Sequence, residues 1–427
     1  MFASSTPWRS ALLCVASLVL PAFALVLPSG YSWGALLLCV LGLLGWVAGP
    51  RPGAGAMWWG LACVLMAAVW AQESLSAWQG TPVGTPPNWS ALDRPIKLVL
   101  VMLALPIIAL QAHGREQALR WGIWLGALGA AGVALWQVYG QGLPRATGYT
   151  NAIHFGDLAL LLGVWSWVWA RSARGLAALL GTIAALAGVY VAIASESRGG
   201  WWTAVVLLVL VLLLDRRASP LRRSRTSWGR WLSMAAIAAL LTWQWPTLQH
   251  RAEVAWNEAE THLASGQSNT SVGQRLAHWQ FAWQMGLERP WLGWGDAGYQ
   301  IEKNTRVSQG NAPAVIAPFG HAHNEWLDTW AKHGALGLLA LSLLFLIPLV
   351  LALHTLSRFP PPQHIDQAPH PARSSAICLI VLVMGYLCFG LTQVMFAHNS
   401  GTVMYGFMAL LWLGQMLGPR LTFIDGI

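Results

Sequence analysis

Residues 175–214 read GLAALLGTIAALAGVYVAIA-SESRGG-WWTAVVLLVLVLLL. Two apolar runs, 175–194 and 200–214, are separated only by the polar turn Ser195-Glu196-Ser197-Arg198-Gly199-Gly200. About 20 apolar residues in a helix cross a bilayer core, and two such runs joined by so short a turn form a membrane hairpin. Working outward from it, the same grammar of apolar runs bounded by Gly, Pro and charge recurs along the chain. The candidate spans lie near 10–27, 32–49, 55–72, 95–111, 118–140, 152–170, 175–194, 200–214, 231–248, 335–353, 375–394 and 399–417. The expected fold is therefore an all-α polytopic membrane protein with about 12 transmembrane helices. Nothing repeats at a fixed period.

Composition agrees. Of 427 residues, 56% are hydrophobic and only 10% charged, where a soluble domain carries roughly 25% charged residues. The 28 Trp fit a chain rich in membrane interfaces. Soluble enzyme folds are excluded, and the net charge of +9 speaks to topology rather than to nucleic acid, for which no binding is expected. Cys14, Cys39, Cys63, Cys378 and Cys388 all sit inside apolar runs, so they read as packing residues.

Basic residues orient the spans. With the N-terminus cytoplasmic, Arg9, Arg51, Arg115, Arg120, Arg171, Arg174, Arg358, Arg373, Arg420 and the six arginines of 215–230 (DRRASPLRRSRTSWGR) all face inward. Both termini are then cytoplasmic. Residues 1–24 have the look of a signal peptide, Arg9 preceding an apolar run that ends in Ala22-Phe23-Ala24, but we read them as an uncleaved first helix. The arginine-rich inner loop is also expected to touch anionic membrane lipids.

The chain divides into helices 1–9 over 1–248, a helical outer loop over 249–334, and helices 10–12 over 335–427. A loop this long is usually functional. Within it, 251–264 reads as a polar helix, and 272–289 as a second helix with Ser271 and Gln274 forming a capping box. Leu276, Trp279 and Trp283 mark its apolar stripe, and Pro290 and Gly293 end it. A third helix is expected from near His323 toward Gly334.

Three constellations carry candidate chemistry. Arg198, at a span edge and followed by Gly199 and Gly200, reads either as a snorkelling cation paired with Glu196 or as a bidentate anion clamp. Arg275 stands in the first turn of its helix, where a cation opposes the dipole unless an anion is shared with the free N–H groups. His321 and His323, in GHAHNEWLD (320–328), can supply a base near neutral pH. If both are helical they point about 200° apart, so His321 serves another face. A metal held with Glu325 or Asp328 is the weaker reading, and no metal or cofactor is expected. GWGDAG (293–298) matches GxGxxG but no strand precedes it, so it reads as a turn. Glu258 and Glu260 read as a solvated helix face. Asp157, with His154 a turn before it, is the one acid well inside a span, which argues against a transporter with a polar midplane.

In this order, these pieces resemble the O-antigen ligase family of lipopolysaccharide assembly. The resemblance rests on Arg198-Gly199-Gly200, on Ser271-x-x-x-Arg275 with PWLGWG (290–295) downstream, on His321-x-His323-Asn324 with Gly334 and Gly337, and on Asp93-Arg94-Pro95-Ile96-Lys97 before the fourth span. It covers about 90–415. What it implies is a C-type glycosyltransferase architecture in the bacterial inner membrane, with a periplasmic site. The expected reaction moves O-antigen polysaccharide from an undecaprenyl-pyrophosphate donor to lipid A-core, without metal and with inversion. The family's essential residues match Arg198, Arg275 and His323, and Arg145, Gly199, Asn324 and His321 are expected to contact substrate. An O-antigen polymerase, a protein O-oligosaccharyltransferase and a lipid-linked sugar transporter are the alternatives.

Overall fold

A computed structural model describes residues 7–79, 92–110, 112–215, 270–362 and 369–417, with scattered positions between 242 and 261. Its elements are α1 (Pro7–Phe23), α2 (Tyr31–Ala48), α3 (Ala54–Gln79), α4 (Asp93–Ala104), α5 (Arg115–Leu135), α6 (Ala152–Ala170), α7 (Gly175–Ala194), α8 (Arg198–Leu214), α9 (Ser271–Glu288), α10 (Asp296–Ser308), α11 (Glu325–Arg358), α12 (Pro371–Phe389) and α13 (Asn399–Met416). A 3₁₀ turn, Leu105–Ala109, extends α4, and a π turn, Trp136–Gly140, extends α5. No strand occurs among the described residues.

Seven helices among the described residues are long and apolar enough to cross a membrane, and α1 and α8 are shorter apolar helices. The chain is thus a polytopic helical membrane protein. Expected runs 95–111 and 399–417 also fall on helices, α4 with its 3₁₀ extension and α13. The run 231–248 and the loop 215–230 lie almost wholly outside the described residues, so the total of twelve remains an expectation, while the described positions of 251–264 (252–254, 256–258 and 260–261) are helical as expected.

Helices that are apolar all round belong inside. α6, α12 and α13 are buried along almost their whole length and form the middle of the bundle. α2 and α7 instead leave Leu36, Val47, Leu176 and Leu179 uncovered, the faces that lipid tails solvate as readily as leucine packs. Alternating helix direction gathers the loops at two ends. At one end Arg373 donates to Phe359 O at 2.8 Å and Arg171 to Asp215 Oδ2 at 2.7 Å. The opposite end gathers the loop before α6, the start of α8, α9, α10, the start of α11 and the turn before α13.

That second end has its own small core, with Ala277, Phe281, Ala282 and Met285 of α9 packed against Tyr299, Ile316, Ala322 and Ala331. The apolar stripe expected on α9 is therefore corrected. The inward face runs through Ala277, Phe281 and Met285 at i, i+4 and i+8, while Trp283 is 53% exposed. The cap is corrected too. Thr270, not Ser271, is the N-cap and accepts from Gly273 N at 3.1 Å. Glu258 is no solvated bystander, because its carboxylate accepts from Val272 N at 3.3 Å. Two of the first-turn N–H groups expected to share an anion with Arg275, those of Val272 and Gly273, are thus already engaged by the protein.

α11 runs 34 residues but bends at Gly334, whose φ of 60° and ψ of −155° suit glycine alone. In an unbroken helix the N–H groups of Ala335 and Leu336 would bond to the carbonyls of Ala331 and Lys332. Here they donate to Pro290 O at 2.7 Å and Trp291 O at 3.2 Å, while Ala331 O and Lys332 O accept from Trp294 N at 3.0 Å and Gly295 N at 2.9 Å. Two helical bonds are exchanged for four cross-bonds to the PWLGWG segment. A Cβ on Gly334 would stand 2.5 Å from Trp291 C. The GWGDAG stretch is a turn, as expected, but it also starts α10, a helix the sequence reading does not contain.

Candidate active site

The two histidines of GHAHNEWLD lie in an irregular loop, not on a helix. α11 begins only at Glu325, where Asn324 Oδ1 accepts from Trp326 N at 3.0 Å and Leu327 N at 3.1 Å. Asn324 Nδ2 donates to Leu391 O at 3.2 Å, so the whole side chain is spent on backbone. Buried charges hold the loop from beneath. Lys332 Nζ donates to Gly320 O at 3.0 Å and pairs with Asp328 at 2.9 Å and Asp296 at 2.6 Å. Asp328 Oδ1 accepts from Ala322 N at 2.9 Å, and Lys303 Nζ donates to the carbonyls of Ala317 and Phe319. Arg94, of the DRPIK element, stacks on Trp70 at 3.8 Å and reaches Glu325 at 3.7 Å and Asp296 at 3.9 Å. α4 is thereby tied to the start of α11. Over this foundation His323 adopts a left-handed φ of 53°, unfavourable for any residue with a Cβ and typical of strained sites.

His323 Nδ1 lies 3.3 Å from Gln393 Oε1, an oxygen that also accepts from Val394 N at 3.2 Å. Since that oxygen can only accept, Nδ1 carries the proton and Nε2 keeps its lone pair. Around this ring the fold collects other imidazoles. His321 meets His323 edge-on at 4.4 Å between centroids, and His278 of α9 meets it at 5.4 Å. His398 lies 6.2 Å from His321 and 4.0 Å from His154. Asn151, the N-cap of α6, bonds the His154 ring at 3.0 Å and reaches His398 at 3.5 Å. The expectation that His321 serves another face fails because neither residue is helical. Burial pushes His323 down to about 4, with the Gln393 bond opposing and Arg275 adding to the fall. Burial, then the neighbouring His323, holds both His321 and His278 down at about 3. All three are neutral imidazoles at pH 7.

Arg275 lies within electrostatic range of both His323 and Asp157. The Asp157 carboxylate, buried in α6, accepts from Ser197 Oγ at 3.4 Å. Ser197 immediately precedes Arg198, the first residue of α8, whose side chain lies outside the described residues. The preceding Glu196 is left-handed, with φ 54°. Gly199 is needed for close packing, since a Cβ there would stand 2.2 Å from Thr392 Oγ1. Its neighbour is therefore the 390–398 turn, which also supplies Gln393 and His398. Arg145 is exposed in the loop before α6, beside Ala146, whose N–H donates to Ala194 O at 2.8 Å next to the Ser195 turn.

The sequence reading missed His278, Gln393, His398 and Asn151. His278 was within reach, because it stands three residues from Arg275 on the same helix face. Gln393 and His398 carry no local signal and join the site only through packing of the last turn. Among the described residues no group of three or more His, Cys, Asp or Glu is arranged to hold a metal ion.

Fold and site together define a multi-pass membrane protein whose polar side chains converge at one end of a helix bundle. Residues 183–342 match the family model described as O-antigen ligase, and the likeness to that family is shown over this stretch, which contains Arg198, Arg275 and His323. The match supports, at a coarse level, an enzyme of ligase or polymerase type. It is also 25% identical over 328 residues to an uncharacterized protein of Haemophilus influenzae, covering 75% of this chain and 78% of that one.

Proposed function

We propose that the chain is an O-antigen ligase of the bacterial inner membrane, transferring polysaccharide from undecaprenyl-pyrophosphate to lipid A-core on the periplasmic side. Both termini are cytoplasmic, and residues 249–334 form the periplasmic catalytic loop between the two transmembrane blocks. The observation that carries this reading is that Arg275 lies within electrostatic range of both His323 and Asp157, whose carboxylate accepts from Ser197, the residue before Arg198. On this reading, motifs spread over more than a hundred residues of sequence serve one place.

The chemistry follows from the groups. His323 Nε2 takes the proton of an acceptor hydroxyl, whose oxygen attacks the anomeric carbon of the donor sugar. The bond from that carbon to the pyrophosphate oxygen breaks, and the electron pair leaves with undecaprenyl pyrophosphate. Arg198 and Arg275 stabilise the charge gathering on that leaving group. A single displacement inverts the anomeric centre. Gly199 lets α8 approach the 390–398 turn, Asn324 fixes the start of α11 behind His323, and Arg145 and His321 line the approach of the saccharide.

Deletion of the gene in its host tests the reading. The expected result is polymer accumulating on undecaprenyl pyrophosphate while lipid A-core stays bare. Polymer still joined to lipid A-core would refute ligation, and short chains on the carrier would mark a polymerase.

A further inference from the structure

His278 is fully buried on α9, one turn beyond Arg275. Its ring stands edge-on to His323 at 5.4 Å and to Phe319 at 5.5 Å. Among the described residues neither of its ring nitrogens has a hydrogen-bond partner, and His321 Nδ1, flanking His323 as well, is likewise buried and unpartnered. Buried groups left unsatisfied are costly, and a polar group of a bound molecule would complete this spot. Its kind follows from the rings. Burial, then His323 and Lys303, keeps His278 neutral, with one N–H to donate and one lone pair to accept. A hydroxyl matches both. A phosphate oxygen only accepts and is better served by a guanidinium.

We propose that His278 is a substrate-contacting residue that holds a hydroxyl of the acceptor sugar beside His323. The inference rests on the transferase reading above. It assigns α9 two tasks, with Arg275 turned to the donor's pyrophosphate and His278 to the acceptor's saccharide.

The test is steady-state kinetics of the purified full-length protein, with undecaprenyl-pyrophosphate-linked polymer and lipid A-core as substrates. His278→Phe keeps an aromatic ring against Phe319 and removes both nitrogens, while His278→Asn keeps a donor and an acceptor. The Phe variant should raise KM for lipid A-core by roughly tenfold or more, equivalent to about 1.4 kcal/mol, and leave KM for the donor within about twofold. The Asn variant should recover a substantial part of the acceptor KM, which a purely structural role would not predict. Should the Phe variant fail to fold, His278→Leu takes its place. An unchanged acceptor KM in the apolar variant, or a shift in donor KM of equal size, overturns the inference. Wild-type protein that transfers nothing to lipid A-core sinks the transferase reading and this inference together. An active wild type with an indifferent His278 sinks the inference alone.

Discussion

At the scale of single residues, His323 is set by three things at once: a left-handed backbone, the Gln393 oxygen at Nδ1, and a surround of neutral imidazoles and cations. An ordinary imidazole titrates near 6.5, and the sequence alone predicts loss of activity around that pH. Burial moves the expected limb to about 4. The neutral ring is the active base, so kcat/KM should hold level from pH 7 toward pH 5 and fall as the pH drops through about 4. A pH–rate profile with its acid limb near 6.5 would mean that the working base is exposed. For the cations, Arg275→Ala and Arg198→Ala should each lower kcat by roughly a hundredfold, the usual cost of removing one donor to developing charge. Lysine should restore little at either position, because it lacks the bidentate fork; near-normal turnover of a Lys variant would count against that geometry. His323 and Arg275 were legible in the sequence because each sits in a compact local pattern. Gln393 and His398 were not, because only the packing of α12 and α13 brings their turn to the loop before α11.

At the scale of elements, the bend in α11 decides where that loop sits. The PWLGWG segment and Gly334 are separate motifs in the sequence, yet they are the two sides of one exchange of backbone hydrogen bonds. Gly334→Ala meets both a glycine-only conformation and the Trp291 backbone, and should destabilise the protein by about 2 kcal/mol or more. Thermal unfolding in detergent checks this, and an unchanged midpoint would mean that the bend is not needed. Helix existence was legible throughout the described spans, where apolar period and length suffice. The outer segment was read less well. α10 is short and polar and follows a glycine turn, and the inward face of α9 uses alanines, phenylalanine and methionine while its tryptophans point elsewhere. Neither can be known without Tyr299 and Ile316 in place. Topology is checked at the same scale, with reporter fusions expected to be cytoplasmic at 220 and 365 and periplasmic at 265. A periplasmic signal at 220 would overturn the orientation, since the arginines of 215–230 carry most of it.

At the scale of the whole molecule, a bundle with basic residues at one end and imidazoles with Arg275 at the other suits chemistry on a lipid-borne anion at the membrane surface. The leaving pyrophosphate is already activated, and two guanidiniums meet its charge, so transfer should persist in excess chelator. Activity lost to chelator and restored by Mg²⁺ or Mn²⁺ would return Asp328, Glu258 and Glu260 to consideration. The most direct measurement is transfer in proteoliposomes holding undecaprenyl-pyrophosphate-linked polymer and lipid A-core, comparing wild type with His323→Ala and His321→Ala. Wild type should ligate, and His323→Ala should lose roughly 10²–10⁴-fold in rate while still binding the donor and unfolding at the wild-type temperature; His321→Ala should be milder. Near-normal turnover by His323→Ala, or His321 proving the indispensable one of the pair, would contradict His323 as the base.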